Sequence, residues 1–501
     1  MSTPLRDSAI PLKIAFIHPD LGIGGAERLV VDAAVGLQND GHQVKIFTSH
    51  CDLNHCFEEV KNGTLKVQVF GDQLPTNVGG KFFIVFANLR QLYLTFKLLL
   101  SKEIDKYDLV IVDQLSTCIP FIHMFSSCKV FFYCHFPDQL LAIRTTTLKK
   151  LYRAPFDAFE QFTMTSADKV VVNSNFTKSI YRRTFKWIKD SPNVIYPCVN
   201  LAAPSIESID VDLLSHIMGD SEEFYLSINR YERKKNIELA IQGFALSEES
   251  TNNSCKLIVC GGYDERVSEN VQYLRELQKE ADEWKLSHIT ISYPEYARAK
   301  DLEFFDARNA KVIFLTSISS SLKDLLLQKT KMLLYTPARE HFGIVPLEAM
   351  KFGKPVLAVT SGGPLETVVS YVPGENENTA TGWLRDPVKM VWAKAIDEFT
   401  RSTGVDFDKN GKERVRKLFS SEAMTATFEE NIEKVVWKKK EVYPWETAVA
   451  SLFYFSLHML ALLLFPQQSW PYPVLAGTAA TVTKNYFWAM YYVLIFFLTS
   501  S

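Results

Sequence analysis

Glu340 and Glu348 bracket the stretch Glu340-His341-Phe342-Gly343-Ile344-Val345-Pro346-Leu347-Glu348, with seven residues between the two carboxylates. An apolar run, Met332 to Tyr335, precedes it and Ala349-Met350-Lys351 follows, which predicts a strand end, a tight turn and a helix start. Such a turn aims free backbone N–H groups and the positive end of a helix at one point, which suits a pyrophosphate. The glutamates then flank the phosphate, each able to accept hydrogen bonds from sugar hydroxyls. The stretch reads as a site for a nucleotide-linked sugar.

Other residues have types and positions that could join this chemistry. Gly22-Ile23-Gly24-Gly25-Ala26-Glu27-Arg28 follows the first strand-like run and opens a helical pattern, so Gly24 and Gly25 let backbone approach a ligand. Glu27 stands where a G-x-G-x-x-G fingerprint needs its last glycine, which argues against a nicotinamide or flavin. Arg230 and Lys235 lie just past another strand-like run and can neutralise a diphosphate, whereas Arg233 and Lys234 between them read as solvated charge. His135, in Tyr133-Cys134-His135-Phe136-Pro137, sits at a strand end, with structural and catalytic readings both open; His341 beside Glu340 shares that ambiguity. Gly261-Gly262 and Ser361-Gly362-Gly363-Pro364 are further glycine turns after strands. Asp210-Val211-Asp212 and Asp406-Phe407-Asp408 mimic a metal-binding D-x-D without its strand-end setting, and His50-Cys51-Asp52-Leu53-Asn54-His55-Cys56 matches no paired zinc spacing. No metal site is read from them.

The elements that must hold these residues alternate. Strand-like runs at Lys13–Ile17, Val44–Thr48, Val67–Phe70, Leu109–Val112, Val130–Tyr133 and Val170–Val172 are interleaved with helical patterns such as Ala26–Gln38. After a stretch rich in Pro, Ser and acids, alternation restarts at Phe224–Ile228, Lys256–Cys260, Val312–Leu315, Met332–Tyr335 and Val356–Val359. Strand–helix alternation implies parallel sheets with right-handed crossovers. The expectation is an α/β chain of two Rossmann-like domains facing a cleft: 1–200, a linker 201–222, 223–420, a crossing helix and basic run 421–440, and a hydrophobic region 441–501.

With 55 Lys+Arg against 57 Asp+Glu the chain has no basic field, which argues against nucleic acid as a partner. Eight scattered cysteines fit a reducing, cytosol-facing setting, where the sequons at Asn62, Asn175 and Asn252 carry no glycan. Met1 to Pro11 is polar, without the pattern of a signal peptide. Trp445 to Phe465 is long and apolar enough to span a bilayer, and Pro471 to Leu498 is a second apolar stretch interrupted by Lys484 and Asn485. Lys438-Lys439-Lys440 before them places the preceding domains in the cytosol by the positive-inside tendency. Phe82 to Leu100 carries Arg90 and Lys97, so an interfacial or covering helix is expected there rather than a span.

Taken together, GGAER after the first strand, HFP at a later one, R-x4-K and E-x7-E resemble the retaining glycosyltransferases of family 4, from about Lys13 to Val436. That resemblance implies the GT-B fold. Longer stretches (HPDLGIGGAERLVVDAA, YCHFPDQLL, VVNSNFT, CGGYDERV, EHFGIVPLEAM) are similar to the alpha-1,3/1,6-mannosyltransferase branch of dolichol-linked oligosaccharide assembly. The resemblance implies a GDP-mannose donor, a dolichyl-pyrophosphate-linked acceptor, a membrane setting at the cytosolic face of the endoplasmic reticulum, and other mannosyltransferases of the pathway as partners. It further implies that Gly25 and the N–H groups of Phe342, Gly343 and Ile344 meet the diphosphate, and that Arg230 and Lys235 hold the leaving phosphates without a metal. Glu340 would contact the mannose, with His135 near it, and Glu348 would hold the ribose. The alternatives are a single-linkage lipid mannosyltransferase and a membrane scaffold without activity.

Overall fold

The computed structural model describes residues 10–500 other than 142–146, 189, 220–222, 253, 300–306, 308, 403, 442, 465–467 and 482–485; Lys484 and Asn485 thus lie outside the described residues. The chain divides into two compact units, one made of Met1–Tyr133, Ala142–Val170 and Asn431–Ser501, the other of Cys134–Leu141 and Val171–Glu430.

The first sheet has seven strands: β1 Lys13–His18, β2 Gln43–Thr48, β3 Lys66–Val69, β4 Leu109–Asp113, β5 Lys129–Cys134, β6 Lys169–Val172 and β7 Asn193–Val194. Their order is β3-β2-β1-β4-β5-β6-β7. The second sheet has β8 Glu223–Ile228, β9 Cys255–Gly261, β10 His288–Ser292, β11 Val312–Thr316, β12 Met332–Tyr335, β13 Val356–Val359 and β14 Gly382–Arg385, ordered β10-β11-β9-β8-β12-β13-β14. The paired registers are parallel throughout, for example Ile14 with Leu109 and Met332 with Tyr225. Strands β4 and β5 are buried at every residue, because a parallel sheet is covered on both faces; they therefore appear in the sequence as unbroken apolar runs.

In each sheet the winding direction reverses once, between β1 and β4 in the first and between β8 and β12 in the second. The crevice beyond the carboxyl ends of the strands at such a reversal is where doubly wound sheets bind ligands. The glycine-rich loop follows β1, Arg230 to Lys235 follow β8, and Glu340 follows β12. The topology thus delivers the chemistry-bearing loops to the two reversal points.

Several segments differ from expectation. The stretch 201–222 is not a plain linker: Ser208–Met218 is a helix whose Leu213, Leu214 and Ile217 are buried in one core of the second unit. Asp210 within it is fully buried and accepts a hydrogen bond from the Tyr293 hydroxyl, a structural role for half of that D-x-D. Asp406 in the other caps the helix Phe407–Leu418. The helix Ser421–Val436 contains the boundary between the two units.

The hydrophobic tail forms helices Pro444–Leu464, Pro471–Thr481 and Tyr486–Ser500, packed on one another around Tyr454, Tyr472 and Tyr492. Among the described residues one helix, Phe83–Leu100, is long and apolar enough by length and composition to cross a membrane; Ser451–Leu460 and Phe487–Leu498 are shorter apolar helices. Phe83–Leu100 is attached through a polar face. Arg90 is buried and donates to the carbonyls of Ser49 and Gly71, and Gln91 donates to the carbonyl of Leu115. Its exposed face carries Phe83, Leu89, Phe96 and Leu100.

The basic run before the tail also behaves differently from a solvated charge cluster. Lys438 and Lys439 are exposed, but Lys440 folds inward and donates to the carbonyls of His123 and Ser126. Burial lowers its pKa against the pull of Asp168 and Glu446. His123, fully buried, pairs through Nδ1 with Glu446 of the first tail helix.

Candidate active site

Glu340 to Glu348 fold as the strand end, turn and helix start that the sequence pattern predicts: β12 ends at Tyr335 and the helix Val345–Lys351 begins after Ile344. Gly343 has φ +77, and a Cβ there would come within 3.1 Å of the Tyr335 hydroxyl oxygen, so the turn needs glycine on two counts. Phe342 anchors the loop from below, 5% exposed and packed against Tyr196 and Phe419. Ile344 is exposed at the helix start.

Lys235 ends the short helical turn after β8, and its carbonyl accepts a hydrogen bond from the Thr336 hydroxyl beyond β12. Its ammonium lies 2.5 Å from Glu340 Oε1. Two charges from loops 105 residues apart therefore meet at the β8/β12 reversal. Arg233 points elsewhere, paired with Glu276 on the outer surface, in keeping with its reading as solvated charge. Arg230 is exposed, its stem beside Gly262, and makes no ion pair among the described residues.

Glu348 sits in the first turn of its helix and pairs with Lys323 at 2.6 Å. Lys323 lies on the helix Ser320–Lys329 after β11 and carried no signal in the sequence, being one lysine in a serine-rich helix start. Burial lowers its pKa, but Glu348 more than offsets this, so it stays charged.

His341 is stacked on Phe136, ring centroids 3.7 Å apart and planes 9° from parallel. Its pKa is lowered, first by burial and further by the charges of Lys235 and His135, against the opposing pull of Glu340. It is therefore neutral at pH 7. His135, Phe136 and the loop holding Glu340 all belong to the second unit, so the HFP segment does meet the two-glutamate loop.

Ser174 stands in the stretch VVNSNFT and Gly363 in a glycine turn, but the sequence does not show that either holds this loop. Ser174 caps the helix Asn175–Thr184 and donates its hydroxyl to the His341 carbonyl at 2.5 Å. Gly363 donates its N–H to the Glu340 carbonyl at 2.8 Å and packs so closely on Phe342 that a Cβ would collide with its backbone. Asn175, in a sequon, is engaged with Tyr196 and Glu366. Gly24 and Gly25 lie in the first unit, where Gly24 is the residue before the helix Gly25–Asn39 and Gly25 has open space at its Cα.

Comparison with known proteins fits this geometry. Residues 23–203 match the family Glycosyltransferase Family 4 and residues 215–417 match Glycosyl transferases group 1. Across 489 residues, 97% of each chain, the sequence is 60% identical to the alpha-1,3/1,6-mannosyltransferase ALG2 of Saccharomyces cerevisiae. The chain belongs to the ALG2 alpha-1,3/1,6-mannosyltransferase family. An ALG2 relative from Schizosaccharomyces pombe is 48% identical over 430 residues, 84% of this chain and 81% of its own.

Solved structures agree on the fold. Sucrose-phosphate synthase from Thermosynechococcus elongatus superposes with a TM-score of 0.60 at 20% identity, covering 84% of this chain and 98% of its own. The catalytic domain of starch synthase IV from Arabidopsis thaliana gives 0.62 at 13% identity, covering 86% of this chain and 100% of that domain. This member of the ALG2 family thus has the GT-B fold expected from its four ordered motifs.

Proposed function

We propose that the protein is a retaining mannosyltransferase that moves mannose from GDP-mannose to a dolichyl-pyrophosphate-linked chitobiose already bearing one mannose. It adds an alpha-1,3 and then an alpha-1,6 mannose in early lipid-linked oligosaccharide assembly. The observation that carries this reading is the ALG2 family membership at 60% identity over 97% of the chain, joined to the Lys235–Glu340 and Lys323–Glu348 pairs at the β8/β12 reversal.

Two carboxylates suit the hydroxyls of a sugar and a ribose, and a lysine beside each suits the intervening diphosphate. In this reaction the bond from the mannose anomeric carbon to the diphosphate breaks as that carbon becomes oxocarbenium-like. The acceptor hydroxyl attacks from the same face, and its proton passes to the departing diphosphate oxygen. Lys235 and Arg230 balance the charge that gathers on the leaving group, the role a divalent metal would otherwise fill; one such fixed donor contributes about 3 kcal/mol. Neutral His341, held flat under Phe136 and by Ser174 through its carbonyl, fixes the loop rather than adding a third cation. The acceptor's lipid suits a membrane setting at the endoplasmic reticulum, with the catalytic units on the cytosolic side.

The test is transfer by the purified full-length protein in a membrane mimic, given GDP-mannose and the lipid-pyrophosphate acceptor. Two sequential mannose additions, one alpha-1,3 and one alpha-1,6 by linkage-specific mannosidase digestion, are expected. One addition alone refutes the dual linkage, and none with GDP-mannose still bound refutes the enzyme.

A further inference from the structure

Lys235 is carried by an element too short to fix it. The turn Arg233–Lys235 has three residues, and Asn236 after it is left-handed, with φ 52. Two bonds close the turn on itself: the Lys235 N–H donates to the Glu232 carbonyl at 2.8 Å, and the Asn236 N–H donates to the Arg233 carbonyl at 3.0 Å. Neither ties it to the segment after β12, where Glu340 stands. A helical end also leaves its last carbonyls in need of donors from elsewhere.

Thr336, the first residue after β12, supplies that donor. Its hydroxyl donates to the Lys235 carbonyl at 2.7 Å, and the residue is 0% exposed. Pro337 follows, which biases Thr336 to extended backbone, and a β-branched side chain has little rotamer freedom, so the local chain aims the hydroxyl. A hydroxyl has one hydrogen and a carbonyl can only accept, so that hydrogen is committed to Lys235. The Thr336 oxygen faces the amide of Asn229, whose Nδ2 lies 3.5 Å from it and 3.4 Å from Ser227 Oγ. Asn229 is fixed in turn: its N–H donates to the Cys260 carbonyl at 2.9 Å, and a Cβ on Gly261 would come within 2.0 Å of its carbonyl oxygen. A buried polar chain therefore runs from the end of β8 through Asn229 and Thr336 to the backbone of Lys235.

We propose that Thr336 is a positioning residue for transfer, whose hydroxyl sets the Lys235 backbone so that the ammonium, 2.5 Å from Glu340 Oε1, meets the leaving diphosphate. Without solvent exposure, Thr336 acts through Lys235 and not on a ligand. This assignment rests on the mannosyltransferase reading. A hydroxyl that only satisfied a buried carbonyl would lower stability when removed, whatever residue stood at 235. One that places the lysine lowers turnover only while the lysine is there. Thr336→Val keeps the shape and removes the hydroxyl.

The experiment compares wild type, Thr336→Val, Lys235→Ala and the double variant, each full-length in a membrane mimic, for mannose transfer and for GDP affinity by calorimetry. Thr336→Val is expected to lower kcat about tenfold, the upper range for one hydrogen bond, with the KM for GDP-mannose within about threefold. GDP, which carries the charge of the leaving group, is expected to bind about fivefold more weakly. In the Lys235→Ala background the same change costs less than about twofold in either readout, because its route is already gone. Thr336→Ser keeps the hydroxyl and recovers kcat to within about threefold of wild type. Thr336→Ala removes the hydroxyl with less bulk and replaces Thr336→Val in the cycle if that variant does not fold. The proposal is overturned if Thr336→Val transfers like wild type, if its loss is undiminished in the Lys235→Ala background, or if Thr336→Ser falls as far as Thr336→Val. If GDP affinity shows this coupling while wild type transfers no mannose, the mannosyltransferase reading fails and the positioning role stands.

Discussion

Replacing Gly363 by alanine tests whether the two-glutamate loop is held by close packing. Gly363 has φ −57 and ψ −36, values any residue adopts, so alanine adds no backbone strain of its own. Its Cβ would, however, meet the Cα, C and O of Phe342, all far inside the 3.0 Å that real Cβ atoms respect. Relief requires the loop to move by roughly 1 Å, and a misplacement of that size can cost about 10²-fold in rate. Phe342 cannot yield inward, because its ring already packs on Tyr196 and Phe419. The expected result is a kcat/KM for mannose transfer about 10²-fold below wild type, with overpacking lowering stability by about 1–3 kcal/mol. Gly374→Ala is the control: φ is +81 with open space around it, so strain costs about 1 kcal/mol with no effect on transfer. A folded Gly363→Ala protein within about threefold of wild-type kcat/KM would refute the argument, as would an equal loss in Gly374→Ala.

The same geometry sets three further outcomes. Lys235→Ala should lower turnover by about 10²–10³-fold, whereas Arg233→Ala, whose side chain pairs outward with Glu276, should stay within about twofold; equal effects would defeat the assignment. Lys323→Met frees Glu348 to rotate and should raise the KM for GDP-mannose about tenfold with little change in kcat, which steady-state kinetics will check. His18, 2.7 Å from Asp113 and with its folded pKa raised above the ordinary value of 6.5 to about 9, stabilises fully below pH 6.5, and that contribution is lost as pH rises through about 9. Thermal unfolding should therefore weaken between those limits in wild type, and Asp113→Asn should flatten that slope while lowering stability at pH 6.5.

How much of this was legible depends on whether the signal is local. The strands buried on both faces, such as Leu109–Asp113 and Val356–Val359, announce themselves as apolar runs, and the turn at Gly343 follows from its residues alone. The edge strands β10, His-Ile-Thr-Ile-Ser, and β14, Gly-Trp-Leu-Arg, have no such run; pairing with β11 and β13 makes them strands. Residues 201–222 misled because Pro, Ser and acids outweighed three apolar residues at helical spacing. Within the site, Glu340 and Lys235 were legible as types and positions, but their meeting across 105 residues is a product of sheet order. The roles of Ser174, inside the stretch VVNSNFT, and of Lys323 were hidden for the same reason. Each matters only through the residue that folding brings to it.

The inward-folded Lys440 bears on where this chain can be cut. Its ammonium satisfies two carbonyls at the end of the helix Ile119–Phe125, and Glu446, six residues on, supplies the carboxylate for His123. A shortened protein ending at Lys439 would leave both carbonyls and a buried imidazole without these partners, and one ending at Lys440 would still strip the imidazole. The boundary of a well-folded soluble fragment therefore lies beyond Glu446, inside the first hydrophobic helix rather than ahead of it, and solubility cannot be gained there by trimming at the basic run.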